Sequence, residues 1–301
     1  MMMDVYVGKV RRAAIFMCVW LLIAGAASAR GVSAGTKSWN RIVLREIAKT
    51  ENGGGYSTVR QTSLYPQTSW TGMKRAWSYS RKNGISIRME LARPSFCSSA
   101  SYMMLLKALS VWDEDAVIGK KAWIALRPYT VKGMKYKVQD DGVGCFGYAN
   151  ANGPGVAMLV KTIGAGKNIY IGGRKDYPSA AKWRKAWKKA KKGDFLKLFF
   201  NSAIGRDELG HQVIFMGTQK AYKDGVRDDL IYYWSSQQST NGYGIACRHA
   251  SEIRRAVLTK ITNPEAFAEA DVLLPPNRKN RWLGSLLRKN VSVKAMKRRI
   301  Q

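Results

Sequence analysis

The amino-acid sequence predicts an α+β fold, with helices packed on a small antiparallel sheet. Three observations carry this. A helix signal runs over residues 96–109, directly after Pro94. Three short apolar runs follow, at 195–200 (FLKLFF), 210–217 (GHQVIFMG) and 229–235 (DLIYYWS). Turn residues separate the runs, around Gly205-Arg206-Asp207 and Lys223-Asp224-Gly225, as in an antiparallel meander. Helices first and strands afterwards is the order of an α+β domain, not of alternating βαβ units. The chain has 301 residues and 46% hydrophobic composition, enough for one large domain or two small ones.

The first 29 residues read as a secretory signal. Lys9, Arg11 and Arg12 form a basic region, residues 13–25 (AAIFMCVWLLIAG) an apolar one, and Ala27-Ser28-Ala29 a small-x-small cleavage site. The expected location is therefore exported, periplasmic or extracellular, with an N-terminal anchor if the signal is left uncleaved. The expected organisation is a signal at 1–29, one domain at 30–270 with an insertion near 120–171, and a basic tail at 271–301.

Along the domain, residues 38–49 (SWNRIVLREIAK) form a short amphipathic helix pattern with Ser38 as cap. Residues 51–58 (ENGGGYST) are a glycine-rich connection without the Lys-Ser/Thr ending of a phosphate loop. A weaker helix is expected over 70–82, and the alternation of 84–91 (GISIRMEL) marks a strand. Pro94 breaks the chain, and Ser95 is placed to cap the helix that begins near Phe96. Residues 140–155 (DDGVGCFGYANANGPG) read as loop. Residues 177–192 form a basic helix with Trp183 and Trp187 on one face, ended by Gly193-Asp194. The tail from Asn277 carries Trp282, Leu283, Leu286 and Leu287 among basic residues and reads as solvated, with peripheral membrane contact as its alternative. No internal repeat is visible.

Charge and cysteine usage narrow the function. Lys and Arg number 51 against 20 Asp and Glu, a net charge of +31. Residues 1–29 carry three basic side chains against Asp4, so the remainder keeps about +29. Such a field attracts polyanions. For an exported chain the candidates are anionic cell-wall or other cell-envelope polymers, lipopolysaccharide or the membrane surface, and the export signal argues against nucleic acid. Beyond Cys18 of the signal there are Cys97, Cys145 and Cys247, an odd count, so at least one thiol lacks an intramolecular partner. A Cys145–Cys247 bridge and three separate thiols are both open. With no CxxC pair and only His211 and His249, no structural zinc site is expected.

The chemistry centres on RPSFCSSASYMMLLKAL, residues 93–109. A thiol needs a helix N-terminus or a nearby imidazole to ionise at neutral pH. Cys97 would sit at the positive end of the helix dipole, beside amides able to hold an oxyanion. His211 opens an apolar strand that would hold its ring rigidly, whereas His249 lies in a polar stretch and reads as a surface residue. Alternation along 229–238 groups Tyr232, Trp234, Ser236 and Gln238 on one face. Either Ser236 or Gln238 would then accept from the ring N–H of His211.

This order of pieces resembles the papain-fold cell-wall hydrolases of the NlpC and CHAP type. It comprises a Cys at a helix start, GDFLKLFF, GHQVIFMG, and a strand ending WSSQQ before NGYG. The resemblance spans roughly residues 95–244. It implies a papain-like fold, no cofactor, Cys97 as nucleophile, His211 as base and Ser236 or Gln238 as third member. It also implies cleavage of amide bonds in peptidoglycan stem peptides or cross-bridges. The rival expectation is a non-catalytic basic envelope-binding protein on the same fold.

Overall fold

The computed structural model describes residues 38–59, 64, 67–128 and 143–301. The expected signal at 1–29 lies outside the described residues, as does the 129–142 part of the expected insertion.

Helix α1 (Trp39–Lys49) buries Trp39, Ile42, Val43 and Ile47, the stripe its spacing dictates. The short strand β1 (Gly53–Gly54) follows, then α2 (Ser69–Ala76), β2 (Trp77–Ser80) and β3 (Gly84–Ile87). The helix expected over 70–82 stops at Ala76, because the chain turns extended at Trp77 and pairs opposite Ile87 in a hairpin. The strand expected over 84–91 ends at Ile87, and Met89–Leu91 makes a single 3-10 turn.

Helix α3 (Cys97–Trp112) is the centre of the molecule. Tyr102, Met103, Met104, Leu105, Leu106, Ala108 and Leu109 are all fully buried. A helix that is apolar on every side belongs inside a core, and α1, β3 and the sheet surround this one. Its N-cap is Phe96, in extended conformation, after a cis Arg93–Pro94 bond. Ser95 is therefore one residue too early to cap it. Instead Ser99 Oγ accepts from the Phe96 N–H at 2.8 Å, while Ser95 Oγ bonds Ser236 Oγ at 2.8 Å.

Helices α4 (Lys120–Leu126), α5 (Gly144–Ala149) and α6 (Val156–Ile163) come next. Helix α5 falls in the stretch expected to be loop. Its glycines are outweighed by burial of Cys145, Phe146 and Ala149. Strand β4 (Gly166–Ile171) leads to α7 (Ala180–Trp187), where Ser179 Oγ accepts from the Lys182 N–H at 3.2 Å. Strands β5 (Phe195–Phe199), β6 (Gly210–Gln219), β7 (Tyr222–Lys223), β8 (Val226–Arg227), β9 (Leu230–Gln237), β10 (Gly242–His249) and β11 (Arg255–Ile261) complete the β part.

Seven strands form one sheet in the order β1-β10-β9-β6-β5-β11-β4, with every neighbour pair antiparallel. The molecule is thus mixed helix and sheet with an antiparallel sheet. Helix α3 covers one face through Phe195, Ile214, Trp234 and Tyr243. Helix α7 covers the other, packing Trp183 and Trp187 on Val213, Phe215, Ile231 and Tyr233.

The C-terminal tail is not solvated. Helices α8 (Ala270–Leu273), α9 (Arg281–Leu286) and α10 (Val293–Lys297) lie within the same unit as the rest of 37–301. Leu286, Met296 and Ile300 are buried against Phe199, Ile204 and Val257. The basic residues lie between these apolar positions, so net charge misled the expectation while the apolar spacing decided the packing. Cys145 and Cys247 remain thiols, with no bridge between them. Among the described residues no helix is long and apolar enough to cross a membrane.

Candidate active site

Cys97 is the first residue of α3 and is partly exposed. The first amides of a helix have no intrahelical acceptor, and their summed dipole favours an anion there. His211 is the second residue of β6, and its ring lies beside the Cys97 sulfur and lowers the thiol's pKa. The backbone N–H of Gln212 acts in the same direction.

Gln212 is the hinge of this arrangement and is buried. Its carbonyl accepts from Ser101 Oγ at 3.1 Å and from Ser235 Oγ at 2.8 Å. Ser101 Oγ also lies 2.8 Å from the Cys97 carbonyl, its one proton shared between the two oxygens, so one hydroxyl stitches the first turn of α3 to β6. The Gln212 side chain donates to the Leu196 carbonyl at 3.2 Å and accepts from the Val156 N–H at 3.3 Å. The strand carrying His211 is therefore held from both sides, which keeps imidazole and thiol in register.

The third partner is Gln237, not Ser236 or Gln238. His211 Nε2 meets Gln237 Oε1 at 3.1 Å, and Gln237 Nε2 donates to the Gly244 carbonyl at 3.1 Å. That second bond orients the amide with its oxygen toward the ring. Nε2 then carries the proton, and Nδ1 is the nitrogen left for the sulfur. Ser236 is fully buried and bonded to Ser95, and Gln238 starts a 3-10 turn beyond the strand. Register explains the difference. Near the far end of the pair Gly217 lies opposite Tyr232, and extending that register would set His211 opposite Gln238. A β-bulge between Phe215 and Gly217 shifts the pairing, so that Ile214 lies opposite Trp234 and, three residues on, His211 faces Gln237.

Two further groups belong to the site and carry no motif in the sequence. Lys197 on β5 is buried, pairs with the equally buried Glu208 at 2.5 Å, and lends its charge to Cys97. Tyr56 is joined to the segment before the nucleophile by an isolated bridge to Ser95, and its hydroxyl senses the Cys97 charge. Burial and then that charge raise the Tyr56 pKa.

The electrostatics favour a thiolate. Burial pushes the Cys97 thiol up, but the His211 hydrogen bond and charge, the Gln212 N–H and the Lys197 ammonium outweigh it. The result lies at about 7, below the ordinary 9.0. Cys145 is the contrast: burial with no cationic neighbour raises it to about 12. His249 stands apart from the site, its Nδ1 3.0 Å from the Asp228 carbonyl. Among the described residues no group of three or more His, Cys, Asp or Glu could hold a metal ion.

The arrangement can present a nucleophilic sulfur, a base beside it and an amide that fixes the base's tautomer. Compared with protein-family models and with curated protein sequences, the chain matches none.

Proposed function

We propose that this chain is an exported cysteine hydrolase that cleaves amide bonds of peptidoglycan stem peptides or cross-bridges. The observation that carries the reading is the series Cys97–His211–Gln237, the ring beside the sulfur and 3.1 Å from the Gln237 amide, at the mouth of a helix N-terminus. The fold proposed for it is papain-like. The signal pattern at 1–29 and the net charge of +31 support action on an anionic envelope polymer.

In the proposed mechanism the Cys97 thiolate attacks the amide carbonyl carbon. The oxyanion that forms is held by amides of the first turn of α3. His211 delivers its proton to the departing amine as the C–N bond breaks, leaving a thioester on Cys97. A water, deprotonated by His211, then attacks the thioester and releases the carboxylate and the thiolate. Gln237 keeps the ring turned so that Nδ1 serves both steps.

Purified mature protein is incubated with isolated peptidoglycan, and new amine termini are counted by mass spectrometry. The wild type releases fragments with new amine and carboxylate ends, and Cys97→Ala does not. Equal release by Cys97→Ala, or none by the wild type, would refute the reading and leave the non-catalytic binding protein as the better one.

A further inference from the structure

A second site lies on the sheet face covered by α7. A cleft of about 740 Å³ runs between α7 and strands β6, β8 and β9. Arg184, Lys185, Lys188 and Lys192 line it, and none of the four makes an ion pair among the described residues. Arg227, also on the lining, is already bonded to Asp229 at 2.8 and 3.2 Å, and Asp229 is the cleft's one carboxylate. Four uncompensated cations facing one concavity repel each other, and an anion bound between them relieves that repulsion.

The cleft is shaped by backbone and not by loose side chains alone. The β-bulge between Phe215 and Gly217 falls on its wall. Gly217 has φ of +135°, and a Cβ there would stand 3.2 Å from Lys192 Cε. Glycine at the bulge thus makes room for the Lys192 stem across the strand. One neutral donor accompanies the charges: Thr218 lines the cleft.

We infer that this cleft binds an anionic saccharide unit of a polymer, its cations taking the acidic groups and the Thr218 hydroxyl one of the sugar hydroxyls. The Trp183 and Trp187 residues are only 4% and 5% exposed, so they offer no free face on which nucleic-acid bases could stack. Charge-assisted bonds from Arg and Lys to oxyanions are the strong ones available here. Gly217 lies six residues along β6 from His211, about 20 Å at ~3.3 Å per residue. A polymer held in the cleft is thereby kept near the Cys97 site. The binding itself does not depend on the hydrolase reading.

The test is calorimetric titration of the mature protein with a heparin-derived tetrasaccharide as probe, at two salt concentrations. One site per chain is expected, weakening as salt rises. The Arg184→Gln/Lys188→Gln/Lys192→Gln variant should bind at least tenfold more weakly. A control of equal charge change on an exposed surface elsewhere, Lys74→Gln/Arg81→Gln/Lys82→Gln, should bind like the wild type. Neutral chitotetraose should bind at least tenfold more weakly than the probe, and Cys97→Ala should bind as the wild type does. Equal loss in both triple variants would mean non-specific charge and would overturn the proposal. So would chitotetraose binding as tightly as the probe, or a thymidine tetranucleotide binding as tightly.

Discussion

Replacing His211 by alanine should move the ionisation of Cys97 back toward that of an ordinary thiol. In the wild type the thiol lies at about 7, with His211 supplying two of the four influences that lower it. Without the ring, burial is opposed only by the Gln212 N–H and the Lys197 charge. The thiol should return to about its ordinary 9.0. That disfavours the thiolate by about 3 kcal/mol. At pH 7 the thiolate fraction falls from about one half to ~1%, roughly fiftyfold. A thiolate of higher pKa is intrinsically more nucleophilic, by about eightfold for a Brønsted slope near 0.45. The net alkylation rate at pH 7 should therefore drop only about sixfold, while the plateau at high pH rises. The assay is iodoacetamide labelling of Cys97 against pH, with sites read by mass spectrometry and folding checked by circular dichroism. A folded His211→Ala protein with an unmoved midpoint would refute the reasoning, as would a wild-type midpoint at or above 8.5.

Gln237→Leu removes a neutral hydrogen bond worth about 0.5–1.5 kcal/mol, so hydrolysis of peptidoglycan fragments should slow by roughly two- to twelvefold. Ser236→Ala, which breaks the buried bond to Ser95, should lower the Tm while leaving turnover within about twofold of wild type. Lys197→Met strands the buried Glu208 carboxylate, and denaturant titration should show a loss of about 3–5 kcal/mol. Leu286→Ala, in the docked tail, should cost about 2–5 kcal/mol by the same measurement, whereas a solvated tail would lose almost nothing. Cys145 has its folded pKa raised to about 12 from 9.0. Its stabilising contribution is fully present below pH 9 and is lost as pH rises through 12, a span of about 4 kcal/mol. Urea midpoints measured from pH 8 to 11 should fall less steeply for Cys145→Ala than for the wild type.

The legible parts of this chain are those set by local rules. Pro94 followed by an apolar run marks the start of α3 to within a residue, and strand alternation marks β5, β6 and β9. The structure brings Cys97 and His211, singled out on those grounds, side by side. The misassigned partner of His211 has a long-range cause. Alternation groups the residues of β9 into two faces, but only the register with β6 says which face meets His211. A single bulge near Phe215 flips that parity and exchanges Gln238 for Gln237. A glycine in a strand is the one local hint of such a bulge, and Gly217 is that hint. Tyr56 and Lys197 escape sequence reasoning for the same reason: a bridge to Ser95 and the pairing of β5 with β6 bring them to the site. The docking of α9 and α10 was hidden by the basic residues between their apolar anchors.

The most direct test of the central claim is mass spectrometry of mature protein quenched in acid within its first turnover of peptidoglycan fragments. The account predicts a peptide containing Cys97 whose mass is increased by the acyl half of the cleaved stem peptide, absent from Cys97→Ser digests run in parallel. Turnover with no adduct on Cys97, persisting in Cys97→Ser, would contradict it.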